Sequence, residues 1–161
     1  MIYLTKLDDC FSKGLLKEGV PNFDLAKKSL KQSEFFLKEA MELLELDKKQ
    51  IAVISLYNAY FHTARALLFK DGVKERSHYC IARYLEERYI DKKLIDVKFL
   101  NGFETVMSLR HNVQYSTEKI SIDEDLNELS NICEEFMHKN VVKHFCAGFK
   151  TPPFMATFLA S

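Results

Sequence analysis

Apolar side chains recur along this chain at three- and four-residue steps nearly everywhere, the spacing of helices that bury one face. The stretch FDLAKKSLKQSEFFLKEAMELLEL, residues 23–46, shows the pattern. Leu25, Leu30, Leu37, Met41 and Leu44 roughly follow the helical repeat, with lysines and glutamates between them. Asn22 caps this helix, after Gly19 and Pro21 have stopped a short first helix over about residues 5–17. DKKQ at 47–50 resembles a capping box, with Asp47 as the cap and Gln50 reaching back. It opens a third helix, IAVISLYNAYFHTARALLF, which Asp71 and Gly72 close, the glycine supplying a left-handed residue. Ser77 starts a fourth helix, HYCIARYLEERYI, and a fifth runs from about Lys93 to Gln114. Gly102 within the fifth costs roughly 1 kcal/mol against alanine, so it is expected to mark a close helix contact. SIDE at 121–124 is a capping box for a sixth helix that reaches about Phe145, with Gly148 as its stop.

Six helices with mostly short connections predict an all-α fold, an up-and-down antiparallel helical bundle of five core helices plus a short N-terminal helix. The chain divides into that helix at 1–20, the bundle at 21–147 and an apolar tail at 148–161. The N-terminal helix is expected to be the least firmly attached. The tail carries Phe149, Phe154 and Phe158 and no acidic residue; it either lies against the bundle or seeks a partner surface.

A formal net charge of zero argues against a broad surface that coats nucleic acid, and leaves room for a small phosphate site. Cys10, Cys80, Cys133 and Cys146 lie far apart with no CxxC pair, so reduced thiols and no metal are expected. MIYLTKLDD does not read as a signal peptide, and no apolar run approaches ~18 residues. The expectation is a cytoplasmic protein with no membrane span and no cofactor.

The third helix is apolar almost all round, as the buried centre of a bundle is. It nevertheless carries a polar line, Ser55, Asn58, His62 and Arg65, at spacings that fall on one narrow stripe. Buried polar groups need partners, so this line is a hydrogen-bonded seam, a solvent edge or one wall of a pocket. The arginines sharpen the picture. Arg65, Arg76, Arg83, Arg88 and Arg110 are the only five among 23 basic residues, and all lie between the third helix and the end of the fifth. Arginine offers a planar fork for phosphate or carboxylate where lysine offers a mobile point charge. The simpler reading is a few ion pairs with Glu75, Glu86, Glu87 and Glu104, above all for Arg83 and Arg88, where RYLEER makes local pairs. His78 follows a capping serine at a helix N-terminus, where it is either a packing residue or a phosphate contact.

Two stretches carry a resemblance. AVISLYNAYFHTARALLFKDGVKERSHYCIARYLEERY, followed by LRHNVQYS, resembles the HEPN domain, and most closely a prokaryotic branch of that superfamily. The resemblance covers about residues 22–145. It implies a helical bundle that pairs as a homodimer, an arginine motif ending in histidine in members that are metal-independent ribonucleases, and partnership with a small nucleotidyltransferase in toxin–antitoxin-like pairs. Arg110 matches the motif arginine and His111 the polar residue after it, while Tyr115 stands where the motif histidine is expected. A tyrosine, with an ordinary pKa near 10, is a poor base at neutral pH, whereas histidine suits proton transfer.

Three functions compete on these residues. The favoured one is a binding module that holds a nucleotide or RNA phosphate with Asn58, His62, Arg65, His78 and Arg110 and pairs with a nucleotidyltransferase. The second is a ribonuclease toxin with Arg110, His111 and Tyr115 as its catalytic set. The third is a purely structural interaction domain.

Overall fold

The computed structural model describes residues 5–141 and 143. Among these, α1 (Lys6–Ser12) is followed by a short strand β1 (Leu16–Glu18), then α2 (Phe23–Glu45) and α3 (Lys49–Asp71). A second strand β2 (Val73–Glu75), α4 (His78–Leu85), α5 (Val97–Tyr115) and α6 (Leu126–Glu135) complete the order. Single π-helical segments, Glu86–Ile90 and Phe136–Val141, extend α4 and α6. The fold is the all-α bundle expected from the apolar periodicity. The expected end of the sixth helix at Phe145, its stop at Gly148, Cys146 and the tail 148–161 lie outside the described residues.

α3 is the centre, with Ala52, Val53, Leu56, Tyr57, Ala59, Tyr60, Thr63, Ala64, Ala66, Leu67, Leu68 and Phe69 buried. It runs antiparallel to α2, against which small side chains allow a close approach. Ser33 donates to the Ala59 carbonyl at 2.8 Å and meets the Thr63 hydroxyl at 2.5 Å, while Ser29 donates to the His62 carbonyl at 2.9 Å. The buried polar seam of the bundle is therefore Ser29, Ser33 and Thr63. It meets the stripe drawn from the sequence at His62 and otherwise lies beside it.

Gly102 lets α5 press on α3. A Cβ built there would fall 2.6 Å from the Tyr60 hydroxyl. That hydroxyl cannot retreat easily, because it donates to the Leu129 carbonyl of α6 at 2.6 Å. The Tyr60 ring also stacks on Phe99 with centroids 5.0 Å apart. One glycine thus sets the distance between the two helices that carry the candidate site.

Several local expectations change. The first helix stops at Ser12, because Gly14 turns the chain at φ 67° into β1, which pairs antiparallel with β2 from Leu16 opposite Glu75 to Glu18 opposite Val73. Three-residue strands carry too little alternation to register against helical periodicity. Asp47 does not cap α3: it sits at φ 54°, Lys48 takes the cap position without a side-chain bond, and Gln50 instead donates to the Ile120 carbonyl at 2.6 Å. The cap of α6 is Asp125, which accepts from the Glu128 N–H at 3.0 Å, and Ser121 bonds Asp123 in the preceding loop. Gly72 closes α3 at φ 81° and Ser77 caps α4, both as expected.

The cysteine expectation is overturned. Cys10 of α1 and Cys80 of α4 form a disulfide with their Cα atoms 5.8 Å apart and 70 residues between them. Spacing in sequence could not show this pairing, because only the return of α4 over α1 brings the two together. With Leu7 and Cys10 buried, α1 is anchored rather than loose. Cys133 is the free thiol among the described residues, and complete burial pushes its pKa up. No helix of the described residues is long and apolar enough to cross a membrane.

Candidate functional site

The residues singled out from the sequence fall into three places rather than one. The first is built on α3, α4 and α5. Arg110 sits one turn before the end of α5, half-buried, with its guanidinium carbon 4.3 Å from the centroid of the Tyr57 ring. A cation over an aromatic face is held by the ring's negative quadrupole. The Tyr57 hydroxyl is in hydrogen-bond contact with Nδ1 of His78, the first residue of α4. Phe61, one turn along α3, also packs against that imidazole, at 4.7 Å between centroids.

Two electrostatic consequences follow. Burial pushes the Tyr57 phenol up to about 12, against the opposing pull of the Arg110 charge, so the hydroxyl stays protonated. Burial also lowers the His78 pKa, and the Arg110 charge lowers it further. His78 is therefore neutral at pH 7, with one ring nitrogen on Tyr57. Arg110 has no carboxylate partner among the described residues, and its buried Nε, like those of Arg65 and Arg83, finds no hydrogen-bond acceptor. A desolvated donor left unmatched is costly unless something fills it.

The second place lies between α2, α3 and β2. Arg65 Nε stands 2.7 Å from Glu75, and its guanidinium lies near the rings of Phe61 (5.6 Å) and Phe69 (4.8 Å). His62 stacks on Phe36 at 5.7 Å with the planes 8° apart, and its Nδ1 meets the Ser29 hydroxyl at 3.2 Å. Burial, with a smaller contribution from the Arg65 charge, depresses the His62 pKa to about 4. His62 and Arg65 line a groove of about 400 Å³ in which neither Arg110 nor His78 takes part. Asn58 turns back on its own helix and donates to the Ile54 carbonyl at 3.0 Å.

The third place is the end of α5. His111 and Tyr115 share a face, ring centroids 4.9 Å apart, and Tyr115 is 68% exposed. Arg110 points the other way, into the bundle. The helix runs unbroken to Tyr115, so residues five apart diverge and the arginine does not share a site with the tyrosine within one chain.

Sequence reasoning missed Tyr57 and Phe61, because a polar stripe was sought and these aromatics lie on the neighbouring line. Their spacing of four residues, ending on the phenylalanine of the FH pair, is the signal that could have found them. Glu75, one of the carboxylates the sequence offers the arginines, is the partner that takes Arg65. Arg83 pairs with Glu86 at 2.7 Å and with Glu104, in line with the simpler reading of that arginine. No cluster of three or more His, Cys, Asp or Glu side chains that could hold a metal is present among the described residues.

Fold and site together define a helical-bundle protein whose half-buried arginine rests on an aromatic face beside a neutral histidine. The family model of the HEPN domain matches residues 26–144, most of the chain, and the chain belongs to that family. A search of curated proteins and one of solved structures each return no match.

Proposed function

We propose that this chain is a HEPN-type binding module that holds a nucleotide or RNA phosphate at Arg110. The observation that carries the reading is the guanidinium of Arg110, laid on Tyr57 and left without a carboxylate among the described residues, whereas Arg65 and Arg83 are each ion-paired. A phosphate oxygen fits that position because it accepts charge-assisted hydrogen bonds from an arginine fork. His78 adds a neutral imidazole whose second nitrogen can donate or accept. The partnership with a small nucleotidyltransferase, the cytoplasmic location and the homodimer belong to the same proposal and rest on family membership. The exposed His111 and Tyr115 face at the end of α5 is the surface through which two copies would meet.

The ribonuclease alternative takes a different form once the side chains are placed. The histidine next to Arg110 is His78, not His111, so proton transfer during metal-independent cleavage would run through His78. One set of variants separates the readings. Fluorescence anisotropy with a short single-stranded RNA should show binding in the wild type, weakened at least about tenfold by Arg110→Ala, the loss of a charge-assisted contact. Arg110→Lys should also bind less well, because the fork is lost although the charge is kept. Metal-free cleavage that disappears in His78→Ala and survives in His111→Ala would favour the nuclease. Unchanged RNA binding in Arg110→Ala would sink the phosphate reading altogether, and light scattering that shows only monomer at micromolar protein would remove the dimer.

A further inference from the structure

The groove between α2, α3 and β2 is a built feature with its own chemistry. Leu25, Lys28, Ser29 and Gln32 of α2 are spaced three, four and seven residues from the first, so they share one face. Across the groove stand His62, Arg65 and Phe69 of α3, and β2 closes the end with Lys74 and Glu75. The charges do not cancel. Three cations, Lys28, Arg65 and Lys74, meet a single carboxylate, Glu75, and that carboxylate is already taken by Arg65. Neither Lys28 nor Lys74 forms an ion pair among the described residues.

Lysines on a surface ordinarily spread out to reduce repulsion. Here two of them come from separate elements and face the same cleft, beside an arginine that two phenylalanine rings and Glu75 hold in place. The fixed guanidinium and the two mobile ammonium groups form a converging positive field, which a concave wall focuses. Leu25 and Phe69 supply an apolar shelf next to it, and Gln32 a neutral hydrogen-bonding amide. A groove of about 400 Å³ lies in the range that holds small organic ligands.

We propose that this groove is a second anion site, separate from Arg110, that takes a small phosphomonoester with an aromatic or apolar body. The phosphate sits between Lys28, Lys74 and the outer nitrogens of Arg65, and the body lies on Leu25 and Phe69. Inorganic phosphate alone uses only the cationic half of the groove, so it binds more weakly than an ester that also covers the shelf.

The test uses the full chain, phenyl phosphate and inorganic phosphate as probes, and the His62 ring resonances as the reporter of location. Phenyl phosphate should saturate, shift the His62 signals and bind more tightly than inorganic phosphate. Lys28→Ala with Lys74→Ala should weaken it at least about tenfold, since two charge-assisted contacts are lost. Both lysines are exposed, so the double variant should keep its fold, with an unchanged thermal midpoint as the check. Arg110→Ala should leave phenyl phosphate binding intact, while the lysine double variant should leave RNA binding at Arg110 intact, so the two sites fail independently. Equal affinity for the two probes, saturation without any change at His62, or full affinity in the lysine double variant would each overturn the proposal.

Discussion

Arg65 and Arg110 are the same side chain in two kinds of surroundings, and both lie on aromatic rings. Arg65 packs near Phe61 and Phe69 and has Glu75 at 2.7 Å, on a strand that the sequence places ten residues later. Arg110 packs on Tyr57 at 4.3 Å and has no carboxylate partner among the described residues. The first is ion-paired through its Nε and fastens β2 to α3, and it offers a ligand charge only together with the neighbouring Lys28 and Lys74. The second keeps an unspent positive charge in a partly desolvated position. The paired arginine contributes to stability whatever else it contacts, whereas the open one has only a ligand to answer its charge. The adjoining histidines follow the same division. His62 is tucked between Phe36 and Ser29, while His78 stands at the first turn of a helix with its ring against Tyr57 and Phe61.

The largest expected effect comes from the contact that holds α5, and with it Arg110, against α3. Gly102→Ala should cost about 1–3 kcal/mol in denaturant unfolding, because the new methyl meets a tyrosine ring that is hydrogen-bonded and stacked in place. It should also weaken RNA binding by moving Arg110 off Tyr57. A stability loss with unchanged binding would show that the distance between α3 and α5 does not govern the Arg110 site.

Next, the two arginines should separate cleanly when each is truncated. Arg65→Ala should destabilise by roughly 1–2 kcal/mol, since it leaves the Glu75 carboxylate, only 8% exposed, without its partner. Arg110→Ala should cost less, about 0.5–1 kcal/mol for the lost contact on Tyr57, because no partner charge is abandoned. Equal losses from the two would end the contrast between a paired and an open arginine.

The histidines can be compared by pH. His62 titrates near 6.5 when unfolded and about 4 when folded. Between those values the unfolded chain binds more protons, so the contribution of a neutral His62 is fully present above pH 6.5 and is lost as pH falls towards 4. His62→Phe, which keeps the stack on Phe36, should flatten that part of the stability curve by about 1–2 kcal/mol after allowance for solvent screening. A curve identical to that of the wild type would mean that His62 is not buried in neutral form.

The smallest effect concerns the hydroxyl of Tyr57. Tyr57→Phe should cost about 1 kcal/mol, one hydrogen bond to His78, and leave the cation–ring contact with Arg110 in place. RNA binding should therefore survive nearly unchanged, and only the imidazole resonances of His78 should move. A large binding loss would show that the hydroxyl, through His78, orders the phosphate site.

Much of the bundle was legible in the chain. The apolar repeat marked α2, α3 and α5, Gly72 and Ser77 marked an end and a beginning, and Gly102 announced a tight crossing. These are local properties: a helix repeats every 3.6 residues, and a cap depends on neighbours three or four positions away. The misplaced caps at Asp47 and SIDE show the limit of that logic, because each motif lost its partner to a competing local geometry or a distant carbonyl. The candidate site was half legible. Arg110, His78, His62 and Arg65 were picked out by residue type, yet which of them stand together was not. Helix periodicity says which residues share a face and nothing about what that face meets.

By itself, then, the sequence determined the number and rough extent of the helices among the described residues, the burial of α3, and which arginines and histidines to consider as an anion site. Only the tertiary structure decided that Cys10 reaches Cys80, that Glu75 neutralises Arg65, and that Arg110 rests on Tyr57 beside His78 while His111 and Tyr115 turn outward. The physical reason is one of range. Backbone hydrogen bonds and side-chain periodicity act over a few residues, whereas ion pairs, ring contacts and a disulfide join atoms that are close in space and far apart along the chain.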